Sequence, residues 1–141
     1  MIDTIRRSLL VFATAVLAAS GAALAQDAFE TQLATAVQHA EFAMGADDVE
    51  MAVRHLGHVL NCIAGEGGEG FDGSWGHPCG SQGAGIVNDV ESHAAADDLM
   101  AVLRSAHGLA IEGVEAGSLG AVHAAAAGVR ALLVVIGELG G

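Results

Sequence analysis

The chain has 141 residues, of which 17 are acidic and only 5 are basic, so its formal net charge is −12. Such an excess of negative charge repels phosphate groups, which excludes nucleic acids and anionic membrane surfaces as partners. Metal ions and basic peptides are the partners that suit this charge. The length suits one small domain with a single modest core.

The first 25 residues have the three parts of a secretory signal peptide. Arg6 and Arg7 precede an apolar run from Leu9 to Ala19, and the small-residue sequence Ala23-Leu24-Ala25 follows. This run is shorter than the roughly 20 residues that cross a bilayer, so we expect cleavage after Ala25 and no membrane anchor afterwards. The mature domain, residues 26–141, would then be periplasmic or secreted, and its three arginines and sixteen acidic residues give a net charge of −13.

The segment 28–64 has the pattern of a helical hairpin. Asp47 and Asp48 divide it into two halves, and so short a turn requires the two helices to be antiparallel. In both halves apolar residues recur every three or four positions, as in an amphipathic helix. The first stripe is Phe29, Leu33, Val37, Ala40 and Met44, and the second is Val49, Val53, Leu56, Leu60 and Ile63.

A second hairpin is expected over residues 87–139. Its first helix should run from about 87 to 115 and its second from about 118 to 139, with Ser118 as the N-cap of the latter. Two such hairpins predict an all-α fold, an up-down-up-down four-helix bundle built from two repeated hairpins. A different side-by-side arrangement of the two hairpins fits the same pattern.

A long glycine-rich loop, residues 65–85, joins the hairpins and contains the only tryptophan, Trp75. Its composition opposes helix formation. The only two cysteines are Cys62 and Cys79, and an even count in an exported chain predicts a disulfide. The alternative is a zinc or cuprous copper site in which the two thiolates join His58 and His77.

Two segments of equal length, each bounded by histidines, indicate an internal duplication. Residues 39–55 read HAEFAMGADDVEMAVRH and residues 107–123 read HGLAIEGVEAGSLGAVH. The repeat pairs His39 with His107 and His55 with His123. Because the histidines of each segment lie equally far from its turn, each hairpin brings its own two imidazoles to the same height. An up-down-up-down bundle would place all four rings in one layer.

Helical geometry leaves the direction of each histidine pair open. His39 and His55 each lie about 100 degrees, in the same sense, from the centre of the apolar stripe of their own helix, so both rings turn toward the shared groove or both turn away. Converging rings would bind copper, nickel or zinc through neutral imidazoles, with Glu41 as a nearby carboxylate. His58 is a secondary candidate that should lie outside the layer, with the loop, because Ala126 occupies its matching position in the second hairpin.

Two other functions fit the same sequence. The loop, with Phe71 and Trp75, would serve an interaction module that presents it to a periplasmic protein. The other function is the non-covalent binding of haem by two histidines. A covalently attached c-type haem is not expected, because no CxxCH motif occurs. No nucleophile-elbow pattern is present, so we expect no enzymatic activity.

The sequence His39-Ala40-Glu41, followed by a turn and His55, is similar to the small metal-binding proteins of the bacterial periplasm, whose helices repeat HA(E) units. That resemblance implies a compact four-helix bundle that takes up divalent copper and other metals. Residues 55–85 also resemble the middle of uncharacterised small secreted bacterial proteins with an NC-loop-PC core. This second resemblance implies a disulfide-tied bundle and no particular activity.

Overall fold

The computed structural model describes the backbone of residues 2–141 and the side chains of residues 23, 24 and 26–141. Over this range the chain is helical and has no strand, which confirms the all-α class. The five helices are α1 (Ile2–Gly45), α2 (Val49–Ala64), α3 (Ile86–Val90), α4 (Ala96–Val114) and α5 (Leu119–Gly140). Most side chains of the predicted signal peptide, residues 1–25, lie outside the described residues.

The two short interhelical turns are closed by side-chain N-caps. Asp48 accepts a hydrogen bond from the backbone N–H of Met51 at 2.8 Å, which satisfies one of the free amides of the first turn of α2. Ser118 does the same for Ala121 at the start of α5, which confirms its predicted role. These caps fix where each second helix begins and therefore where its histidines lie relative to the turn.

The single helix predicted from about 87 to 115 is wrong, because the chain forms α3 and α4 with turns between them. His93 lies at the interruption and makes contacts that a continuous helix would not allow. Its Nδ1 accepts a hydrogen bond from the N–H of Ala95, which in a continuous helix would bond a carbonyl one turn earlier. Its Nε2 donates to the carbonyl of Gly140 at the end of α5, and its ring contacts Phe29. These tertiary contacts outweigh the helical periodicity.

The four long helices enclose one core. Contacts join α1 with α2, α2 with α4, α4 with α5 and α5 with α1. The larger core side chains include Leu56, Leu60, Ile63, Leu103 and Leu133. Small residues complete the core and allow the helix backbones to approach closely; among them Ala36, Ala40, Ala43, Ala52, Ala106, Ala110 and Ala126 have no exposed surface.

Helix α5 is the one helix of the described chain that is long and apolar enough to cross a membrane. One face of it is buried in the core through Val122, Val129, Leu133 and Ile136. Because a core helix can have the same length and composition, this property is weak evidence for a membrane span.

The segment between α2 and α3 contains one short 3₁₀ helix, Gly73–Trp75, and is otherwise made of turns and irregular backbone. Its two ends meet, because a Cβ added to Gly85 would lie only 2.7 Å from the Cα of Gly65. The φ angle is 71° at Gly65 and 107° at Gly85, and residues that carry a side chain rarely adopt such positive values. Cys62 and Cys79 are joined by a disulfide with a Cα–Cα distance of 5.2 Å, so the thiolate metal site is not formed.

Removing this disulfide should lower the stability of the fold. Replacing Cys62 and Cys79 together by alanine removes a link between two residues that are 17 positions apart in sequence. The loop-entropy relation gives about 3 kcal/mol for the loss in the free energy of unfolding. Urea unfolding of the double variant and the oxidised wild type would measure the loss. An unchanged midpoint and slope would show that other contacts hold the loop without the covalent tie.

The matched glycines of the repeat should respond differently to alanine. A Cβ at Gly113 would lie 2.6 Å from the Cβ of Ala125, so Gly113→Ala should destabilise the fold by about 1–3 kcal/mol through overpacking. Nothing lies within 4 Å of a Cβ at Gly45, so Gly45→Ala should be neutral or stabilising by up to about 1 kcal/mol. Thermal unfolding of the two variants and the wild type would measure both effects. Equal changes in stability would contradict the expected difference between Gly113 and Gly45.

Candidate metal centre

Three histidines converge where α1 packs against α2. His39 lies on α1, and His55 and His58 lie on α2. The Nδ1 atom of His39 is 3.2 Å from the Nδ1 of His55 and 3.2 Å from the Nδ1 of His58. One nitrogen from each ring can be chosen so that all three lie within 4.8 Å of one another, and no other described group of His, Cys, Asp or Glu residues meets this criterion.

The hairpin explains this convergence. Residues three apart on a helix lie on the same face, so His55 and His58 point in one direction from α2. His39 faces them from the antiparallel helix, and the neighbouring Ala40 and Ala43 are fully buried and leave little volume between the two backbones. The first histidine pair therefore turns toward its shared groove.

The loop contributes a hydrogen bond to the third histidine. The Nε2 of His58 bonds the backbone carbonyl of Trp75. Because a carbonyl oxygen only accepts, the Nε2 of His58 must carry the proton, and its Nδ1 then presents a free lone pair toward His39. Histidines that bind metals commonly donate their second ring N–H to a carbonyl or carboxylate in this way, which fixes the tautomer and the ring orientation.

The surroundings keep all three imidazoles neutral. Burial, reinforced by the neighbouring His58 and His55, lowers the pKa of His39 to about 4. Burial also lowers the pKa of His55, with smaller contributions from His58 and Arg54. For His58, the lowering of the pKa by burial outweighs the opposite effect of the hydrogen bond to Trp75. Neutral imidazoles offer the lone pairs that a metal ion requires.

Aromatic side chains border the cluster. The ring of Phe42 lies 5.5 Å from that of His39 and 5.3 Å from that of His55, centroid to centroid. The indole of Trp75 rests on Gly57, where any Cβ would overlap it. Trp75 and Phe71 are both half-buried, and Phe71 packs edge-on against His77 at 5.1 Å. The two aromatic residues of the loop thus contact the protein itself.

The structure does not bring the second histidine pair into this cluster. His107 donates from Nε2 to the carbonyl of Glu69 at 2.8 Å, and His123 donates to the carbonyl of Ala46 at 3.0 Å. The repeated histidines of the second hairpin therefore bond the backbone of other segments. The position that matches His58 holds the fully buried Ala126, so the second hairpin lacks a third imidazole.

Glu41, which was predicted as a nearby carboxylate ligand, forms an ion pair instead. The carboxylate of Glu41 accepts a hydrogen bond from Nε of Arg130 at 2.8 Å, in an ion pair whose two side chains are about half exposed. This pair connects α1 with α5, and Glu41 is not part of the histidine group.

His58 is the residue that sequence reasoning placed incorrectly. The sequence predicted that His58 lies with the glycine-rich loop and outside the histidine layer. Its Nε2 does bond the loop, at the carbonyl of Trp75, but its Nδ1 faces His39. The available signal was the spacing of three between His55 and His58, which places both rings on one face of α2. Nothing in the sequence indicated that Gly57 leaves room for the indole, because that role depends on where Trp75 lies.

Comparison with protein-family models, curated proteins and solved structures gave no match.

The depressed pKa of His39 should make the metal-free fold less stable in mild acid. The pKa of His39 is about 6.5 in the unfolded chain and about 4 in the folded chain, so the unfolded state binds more protons between these values. Stability should be complete above about pH 6.5 and should fall as the pH falls toward 4. Urea unfolding at a series of pH values from 7.5 to 5 would measure this dependence. His39→Gln should flatten this dependence, and an unchanged slope would contradict the assignment.

Proposed function

We propose that the protein binds a divalent transition-metal ion through the Nδ1 atoms of His39, His55 and His58. The observation that carries this proposal is the pair of 3.2 Å distances between Nδ1 atoms. Two nitrogens bound tetrahedrally at about 2.0–2.1 Å from one ion lie about 3.3–3.4 Å apart, so the observed spacing of the nitrogens is close to that of a ligated site. Little movement would be needed to accept an ion.

The donor set selects the class of metal. Three imidazoles suit zinc, copper and nickel, whereas calcium and magnesium require oxygen ligands. Three protein ligands leave a fourth position for water or another exchangeable ligand, unlike the four ligands of a structural zinc site. An exchangeable position suits a protein that takes up and releases metal.

The setting of the site is consistent with metal buffering outside the cytoplasm. A mature net charge of −13 raises the local concentration of cations. The disulfide and the apolar C-terminal helix are compatible with a secreted protein. The cyclic contacts among α1, α2, α4 and α5 support the up-down-up-down bundle predicted from the two hairpins. A compact four-helix bundle is also what the resemblance to periplasmic small metal-binding proteins implies. We assign the protein a binding role without catalysis.

Metal titration with matched variants tests the proposal. The purified mature protein, without a tag, should bind copper, nickel or zinc with micromolar or tighter affinity by calorimetry. Alanine in place of His39, His55 or His58 should each weaken binding at least tenfold, because a three-ligand site loses a direct bond to the metal. The chain has one tryptophan and no tyrosine, so quenching of Trp75 by copper provides a second readout beside the site.

The second hairpin supplies the control. His107→Ala and His123→Ala remove histidines with the same repeat spacing whose Nε2 atoms bond the carbonyls of Glu69 and Ala46. These variants should keep the affinity of the wild type. Millimolar affinity in the wild type, or equal losses in both sets of variants, would overturn the proposed site and leave dispersed weak binding.

A further inference from the structure

Asn61 is one of only two polar side chains that are fully buried among the described residues, and the other is Gln32. The Nδ2 of Asn61 donates to the carbonyls of Asp72 at 2.8 Å and Gly76 at 2.7 Å. Its Oδ1 accepts from the N–H of Asp72 at 2.9 Å. All three hydrogen bonds of this amide therefore go to the backbone of one short stretch of the loop, residues 72–76.

This stretch contains the carbonyl that His58 bonds. Trp75 lies between the two residues that Asn61 holds, and its carbonyl is the acceptor for the Nε2 of His58. Asn61 follows His58 by three positions on α2, so the two side chains leave the helix on the same face. The amide thus fixes the loop backbone on both sides of the acceptor, directly beside the imidazole that the acceptor orients.

We infer that Asn61 is a positioning residue of the metal site, acting through the carbonyl of Trp75 on the ring of His58. The inference rests on the proposed function. When the carbonyl is held, the proton of His58 stays on Nε2 and the Nδ1 lone pair faces His39. When the carbonyl is free to move, the ring can rotate or take the other tautomer, and the third ligand is no longer pre-oriented for the ion.

Gln32 provides a matched control for the cost of losing a buried amide. Its Oε1 accepts from the N–H of Gly85 at 2.9 Å, and its Nε2 bonds the carbonyl of Ala28 at 3.1 Å and the carboxylate of Asp89. It ties the far end of the same loop to α1. None of its hydrogen bonds goes to the stretch that contains Trp75, so its loss should weaken the fold without disturbing His58.

The first experiment compares metal affinity with stability. Asn61→Ala should weaken binding of copper or zinc by about 10–100-fold, the usual effect of losing an outer-sphere partner of a metal ligand. Gln32→Ala should lower the unfolding midpoint and leave the affinity within about twofold of the wild type. Asn61→Asp, which keeps the acceptor for Asp72 and loses both donors, is a second variant of nearly the same volume. Equal affinity losses in the Asn61 and Gln32 variants would overturn the inference.

A double-mutant cycle then tests whether Asn61 acts through His58. In a His58→Ala background, Asn61→Ala should produce no further loss of affinity, because the ring that it orients is absent. Additive losses would show that Asn61 acts on the site by another route. If instead His39→Ala leaves metal binding unchanged, the proposed function fails by itself, whatever Asn61 does.

The tautomer of His58 can be measured without any metal. In the ¹⁵N-labelled metal-free wild type, the imidazole nitrogens of His58 should report a proton on Nε2 at pH 7.5. Asn61→Asp should shift these resonances toward an average of both tautomers, while Gln32→Ala should not. A wild-type His58 protonated on Nδ1 would overturn the inference even if every variant failed to fold.

Discussion

The docking of the loop onto α2 is the constraint on which the histidine cluster depends. Cys62 ties the loop covalently, Asn61 holds its backbone, and Gly57 leaves room for the indole of Trp75. Together they place one carbonyl against one imidazole nitrogen of His58. The part of the glycine-rich loop around Trp75 is therefore held by α2, and its carbonyl in turn fixes the tautomer of His58 on that helix.

Local patterns in the sequence predicted most of the helices and part of the site. Apolar periodicity predicted both helices of the first hairpin, and the turn before Ser118 and its role as the N-cap of α5 were also predicted. Asp47 and Asp48 marked the first turn, and the count of cysteines indicated the disulfide that the structure contains. The equal spacing of His39 and His55 about their turn placed them at one height. All of these signals depend on residues close in sequence or on helical geometry alone.

The features that were missed depend on distant residues. The break before α4 arises because His93 reaches the end of α5, which no local pattern records. The sense in which the first pair of rings turns depends on how closely α1 and α2 pack. The face of α2 on which His58 lies follows from its spacing to His55, but the orientation of its ring depends on a loop carbonyl that is placed by hydrogen bonds to Asn61. A repeat in sequence also did not imply a repeat in chemistry, because Ala126 replaces the third imidazole in the second hairpin.

The disulfide between Cys62 and Cys79 affects the proposed centre through the conformational entropy of the chain. It begins at the residue after Asn61 and encloses the stretch that carries the Trp75 carbonyl. Because the closed loop has fewer conformations in the unfolded state, less entropy is lost when that stretch is ordered against α2. The covalent tie therefore lowers the entropic cost of placing the carbonyl that orients His58, in addition to the hydrogen bonds of Asn61.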